Sequence, residues 1–217
     1  MIEGIQIKVC GLTSHVDAEA ADGLGADYMG FILHAKSPRN IPLGQYRSMS
    51  SRLPERKRVA VSVEPSLEEV EAMKDAGFDR FQVHFGVGFA LDRLEGYSRA
   101  VGPDRLWLAP KLPAGVDVPA EWLPLAGTVV IDTFDAALFG GTGRTGDWPK
   151  FRRHRESHPG KTWILSGGLN PENVAGALAA SGARFVDVNS GVESAPGVKD
   201  RERMSAFFAA VRKARTG

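Results

Sequence analysis

Cys10 is the only cysteine among 217 residues. It ends an alternating run, Ile5-Gln6-Ile7-Lys8-Val9, and is followed at once by Gly11, Leu12 and Thr13. A thiol with apolar flanks at the end of a strand is placed to take a proton from carbon. Taken alone, it reads more simply as a small buried hydrophobe. Asp132 changes that balance: it ends the apolar run Thr128-Val129-Val130-Ile131, at the same strand-end level. A carboxyl against an apolar wall is expected to have a raised pKa, which suits a general acid near neutrality. A cationic or phosphate-binding environment would lower the thiol and make it a general base. An acid facing a base across one mouth is what an isomerisation by proton transfer requires. Arg39, in the Lys36-Ser37-Pro38-Arg39-Asn40 loop, stands after the second strand. Its guanidinium would either clamp a substrate carboxylate through two parallel bonds or lie solvated.

Two further segments could hold an anion. Ser166-Gly167-Gly168 follows the seventh strand-like run, and Asn189-Ser190-Gly191 follows the eighth. Glycine lets the main chain approach a ligand closely, and a following helix N-terminus adds partial positive charge. A third stretch, Phe139-Gly140-Gly141-Thr142-Gly143-Arg144-Thr145-Gly146, follows the sixth run and could fold over the same group. Each alone is a weak signal, since paired glycines often mark only a turn. Ordered after runs six, seven and eight, together they point to a phosphate monoester.

These groups must be carried by a repeating scaffold. Eight β-rich runs recur, IQIKV, DYMGFIL, RVAVSV, RFQVHF, LWLA, TVVID, TWILS and RFVDV, with starts about 22 to 34 residues apart. That interval holds one strand, one helix and two loops. Ser66 and Glu69 form a capping box ahead of Val70 and Met73. Asn170-Pro171 reads as a helix cap followed by proline at the first helical position, with Gly182 as the stop. Asp200 precedes Met204, Phe207, Phe208 and Val211 at helical spacing. The gap between runs five and six, PAEWLPLA, offers barely two turns. No linker divides the chain, so a single-domain (β/α)8 barrel over residues 1–217 is expected, with a doubly wound open sheet as the competitor.

Side-chain parity favours closure. Ile5, Ile7 and Val9 share one face of the first run, and Gln6, Lys8 and Cys10 the other. Gln82 and His84 share a face, as do Asp187 and Asn189. Central strands of an open sheet read as continuous apolar runs; polar residues confined to one face suit the lumen and mouth of a barrel. For Lys8, Gln82 and Asp187, a satisfied polar layer and a functional role weigh equally.

Composition excludes little but narrows the partners. Lys plus Arg number 27 against 26 Asp plus Glu, a formal charge of +1, so neither nucleic acid nor a membrane surface is called for. One cysteine rules out an internal disulfide and a multi-cysteine metal site. The N-terminal run lacks a basic segment followed by a long apolar core, so a soluble cytoplasmic protein, monomer or homodimer, is expected.

Five segments, KVCGLT, GADYMGFILHAKSPRNI, VVIDTFDAALFGGTGRTGDW, LSGGLNPENV and VDVNSGVESAPGVKD, closely resemble the phosphoribosylanthranilate isomerases of tryptophan biosynthesis. The resemblance implies a TIM barrel that performs an Amadori rearrangement of a phosphorylated aminoaldose to an aminoketose, with no cofactor and no metal. It implies Asp132 as general acid and Cys10 as general base. Arg39 matches the arginine that binds the anthranilate carboxylate. Gly143, Gly167, Gly168, Ser190 and Gly191 match the phosphate site, and His84 a pocket residue. The loop after His84 reads Phe85-Gly86-Val87-Gly88, where the family carries an acidic residue. Rival readings are another phosphosugar isomerase or epimerase, an aldolase-like lyase using Lys8 or Lys111, and a barrel that binds phosphorylated ligands without turnover.

Overall fold

All eight β-rich runs form strands, and the ring closes on itself. In the computed structural model, which describes residues 1–113, 115–132 and 147–214, they are β1 (Gln6–Val9), β2 (Tyr28–Ile32), β3 (Lys57–Val63), β4 (Arg80–Gly86), β5 (Leu106–Lys111), β6 (Thr128–Asp132), β7 (Thr162–Ser166) and β8 (Phe185–Val188). Each pairs in parallel with the next, and β8 pairs with β1. Among the described residues, the helices covering the outside are α1 (His15–Leu24), α2 (Leu43–Met49), α3 (Leu67–Asp75), α4 (Leu91–Val101), α5 (Trp148–Ser157), α6 (Val174–Ser181) and α7 (Arg201–Lys213). The open-sheet alternative is therefore excluded.

Local chemistry sets the helix boundaries. Ser66 accepts from the Glu69 amide at 3.1 Å while Glu69 accepts from the Ser66 amide at 2.7 Å, so both halves of the capping box form. Asp200 accepts from the amides of Glu202 and Arg203. Asn170 does bind the amides of Glu172 and Asn173 through Oδ1, but α6 proper starts three residues later than proline at the first position implies. Residues 171–173 form a turn instead, because Asn173 is diverted: it donates to the Gly168 carbonyl at 2.9 Å. Between β5 and β6 the described residues form a 3-10 helix, Ala120–Leu125, which contains Pro124, and no α-helix.

Parity separates two cores. Ile5, Ile7, Val9, Met29, Phe31, Phe81, Val83, Val129, Ile131, Val186 and Val188 point outward into the layer under the helices. Cys10, Tyr28, Val59, Val61, Trp107, Ala109, Val130, Ile164 and Phe185 fill the lumen. The bulky lumen residues stand at strand beginnings: Tyr28 stacks on Phe185 at 5.0 Å and meets the edge of Trp107 at 5.2 Å. This aromatic plug closes one end. At the strand ends most lumen residues are small or polar, with Ile32 and Val63 as apolar exceptions, and a cavity opens there.

Candidate active site

The cavity has a volume of about 860 Å³ and is lined at the C-terminal ends of the strands. Room of that size holds a drug-sized ligand. Cys10, His84, Asp132, Gly167, Gly168 and Ser190 all line it, joined by His34, Glu64, Lys111, Asp187 and Asn189. Arg39 and Gly191 flank it without lining it, and Gly143 lies outside the described residues. Among the described residues, no group of three or more His, Cys, Asp or Glu side chains is gathered as a metal would require.

β1 delivers Cys10 to the lumen by simple alternation, and closure of the ring buries it to 4% exposure. Burial pushes the thiol above its ordinary value; Lys8 and Lys199 pull it down, and Asp187 pushes with burial. The expected lowering of the thiol is thus reversed, since losing water around a thiolate outweighs the cations nearby. Asp132 ends β6 opposite Ser166 of β7 and is exposed at the rim, where an apolar wall was expected.

Gln82 and His84, two residues apart on β4, share a hydrogen bond of 2.8 Å. Burial, with the positive charge of Lys8 and His34, lowers the His84 pKa to about 4. The imidazole is therefore neutral near pH 7. The acidic residue absent from the loop after His84 has a spatial substitute: Glu64, from the loop after β3, accepts from the Gly86 amide at 3.2 Å.

Arg39 is neither solvated nor open along its whole fork. Its Nε donates to both Glu193 oxygens at 2.9 and 3.0 Å, and Nη2 donates to Glu193 Oε2 at 2.7 Å. Glu193 begins a short hairpin, β9 (Glu193–Ala195) and β10 (Val198–Lys199), that follows β8. Lys199 Nζ donates to the same carboxylate at 2.9 Å and to Asn189 Oδ1 at 3.0 Å. Two cations on one carboxylate leave net positive charge beside the cavity. Burial raises the Glu193 carboxyl, but hydrogen bonds from Arg39 and Lys199 win and hold it below the ordinary range. Sequence reading missed Glu193 and Lys199. Their only signal was a charged pair in a short segment immediately after the last strand.

The glycine loops are built for close approach. Gly167 and Gly168 have φ of 99° and 62°, a region that side chains rarely enter. A Cβ on Gly191 would collide with the Leu169 carbonyl, so the β7 and β8 loops touch main chain to main chain there. Gly11 (φ 69°) lets Asn189 Oδ1 and the Arg39 side chain close over it.

Comparison with known proteins agrees with this geometry. A family model described as N-(5'phosphoribosyl)anthranilate (PRA) isomerase matches residues 7–210. A protein from Syntrophus aciditrophicus named N-(5'-phosphoribosyl)anthranilate isomerase is 40% identical over 210 residues, covering 96% of this chain and 87% of its own. The crystal structure of TrpF from Jonesia denitrificans superimposes with a TM-score of 0.78 at 30% identity, covering 98% of each chain. A phosphoribosyl anthranilate isomerase solved in complex with reduced 1-(o-carboxyphenylamino)-1-deoxyribulose 5-phosphate has a TM-score of 0.74 at 27% identity. The match covers 96% of this chain and 99% of that one.

Proposed function

The chain belongs to the N-(5'-phosphoribosyl)anthranilate isomerase family, and we propose that it rearranges N-(5-phosphoribosyl)anthranilate to 1-(2-carboxyphenylamino)-1-deoxyribulose 5-phosphate. The observation that carries this reading is one cavity lined by a thiol from β1, a carboxyl from β6 and glycine-bearing loops after β7 and β8. Asp132 donates a proton to the furanose ring oxygen. The C1–O bond breaks as the nitrogen lone pair forms a C1=N iminium. The Cys10 thiolate then removes the C2 proton, and the C–H electrons form a C1=C2 bond while nitrogen recovers its pair. The resulting enolamine shifts a proton from the C2 hydroxyl to C1, leaving the ketone. Atoms balance without any outside oxidant or reductant, and the iminium serves as electron sink.

Gly167, Gly168, Ser190 and Gly191 would hold the phosphate, with Gly143 as a further contact. Glu193 already takes the Nε/Nη2 edge of Arg39, so the anthranilate carboxylate would meet the Nη1/Nη2 edge. His84, neutral near pH 7, would line the pocket rather than carry a proton. All of these residues come from one chain, so a monomer or a homodimer would serve equally. A phosphorylated intermediate free in solution suits a cytoplasmic enzyme. Among the described residues, no helix is long and apolar enough to cross a membrane.

The test is the loss of substrate fluorescence on turnover. Cys10→Ala and Asp132→Asn should each lower kcat by ~10²–10⁴-fold with the fold intact, the scale for removing a positioned base or acid. Near-normal turnover in either folded variant would refute that residue's role.

A further inference from the structure

Lys8 has no part in the chemistry derived so far. Its side chain is fully buried inside the barrel, where a lysine is rare unless paired. Its ammonium donates to Asp187 Oδ2 at 2.7 Å, and β1 and β8 pair in register with Lys8 opposite Asp187. The Lys8 stem and the Cys10 thiol lie side by side, close enough for the ammonium to act on the sulfur through its charge. On the adjacent strand, β2 is recessed to admit both groups: a Cβ on Gly30 would stand 2.8 Å from Lys8 Cε and 3.0 Å from Cys10 Sγ. The pair is incomplete on its other side. Asp187 Oδ1 is buried with no hydrogen-bond partner among the described residues, and Asp187 lines the cavity. A satisfied polar layer would not leave that oxygen open, and apolar residues would fill such a site at no loss of stability.

We propose that Lys8 is a positioning residue for abstraction of the C2 proton: one ammonium shared between the Asp187 carboxylate and the Cys10 sulfur, and counter-ion to the charge that sulfur carries as the base. This rests on Cys10 being that base. The open Oδ1 is the lever. A substrate hydroxyl or iminium N–H that donates to it weakens the hold of Asp187 on the ammonium and turns Lys8 toward the thiolate. The timing follows: the thiol stays protonated in the empty barrel, and ionises when ligand engages Asp187. Other charges face the pair from neighbouring elements. Lys199 of β10 and Arg39 of the loop after β2 act on the thiol, His84 of β4 faces Lys8, and Asp132 of β6 faces Asp187. Lys8 is the largest of the influences opposing burial at Cys10, ahead of Lys199, and Asp187 opposes it.

The assay is the pH dependence of Cys10 alkylation by iodoacetamide in the full chain without substrate. Cys10 is the only cysteine, so every alkylation reports on it. Asp187→Asn leaves the ammonium to the sulfur alone and should lower the ionisation midpoint, raising the rate near neutrality about tenfold for each unit. Lys8→Met strands a buried carboxylate and risks unfolding, so Lys8→Met/Asp187→Asn, which removes both charges, carries the opposite arm. It should raise the midpoint and slow alkylation by a similar factor. A residue that merely filled space would move neither midpoint. A midpoint unmoved in the folded double variant, or moving the same way in both, would overturn the inference. Turnover separates the two readings. Full activity in Cys10→Ala removes the base itself, whereas lost activity there with static midpoints refutes only the role of Lys8.

Discussion

Glu193→Ala tests whether the arginine beside the cavity is held from behind. The carboxylate is 6% exposed and receives three hydrogen bonds from Arg39, one from Lys199 Nζ and one from the Gly197 amide at 3.3 Å. Without it, the fully buried Lys199 ammonium keeps, among the described residues, the Asn189 carbonyl and amide oxygens, at 3.2 and 3.0 Å. Removing one partner of a buried ion pair costs about 3–5 kcal/mol. The Arg39 side chain is one-fifth exposed and regains water, which favours the lower end, ~3 kcal/mol. In a chain of this length that lowers Tm by ~6–12 °C. Urea unfolding should show a lower midpoint at unchanged slope, and KM should rise because the guanidinium loses its orientation. The pH dependence has a definite sign. The folded Glu193 carboxyl lies below its unfolded value of ~4.3, so its contribution is complete above that pH and fades as pH falls through the folded value. The gap between wild type and variant should therefore narrow below ~pH 4. A loss under ~1 kcal/mol, with the gap flat across acid pH and KM unchanged, would refute the reasoning.

Gly191→Ala should disable the β8 loop by collision alone: a Cβ there meets the Leu169 carbonyl, and backbone on both sides must shift. Binding of inorganic phosphate, followed by calorimetry, should weaken at least about tenfold, since a 1 Å misplacement is enough for larger losses in a preorganised site. His84→Gln should flatten part of the acid limb of stability. The native imidazole titrates at about 4 and the unfolded one at ~6.5, so the unfolded state takes up the proton first and stability falls between those values. Denaturation midpoints at ~pH 7 and ~pH 5 should differ less in the variant than in wild type.

Much of the fold was legible because its rules are local. Period-two alternation already put Gln82 with His84, Asp187 with Asn189 and Lys8 with Cys10, and those faces became the lumen. The Ser66–Glu69 box and the Asp200 cap involve neighbours three residues apart or fewer, and both formed. The start of α6 was misread because Asn173 answers to Gly168 in the preceding loop, which no helix-capping rule for Asn170-Pro171 takes into account.

What sequence by itself determined, then, is the number of barrel strands, their inward faces, and the chemical types standing at the mouth; the β9–β10 hairpin was not among them. Which of those side chains meet was decided only when the ring closed. Lys8 and Asp187 lie 179 residues apart, and Arg39 and Glu193 lie 154 apart. Closure decided the protonation of Cys10 as well, because the energy of a thiolate depends on the water removed around it, and that water leaves only when eight strands surround the sulfur. Alternation along one strand is enforced by its own covalent geometry; partnership and desolvation belong to the assembled barrel.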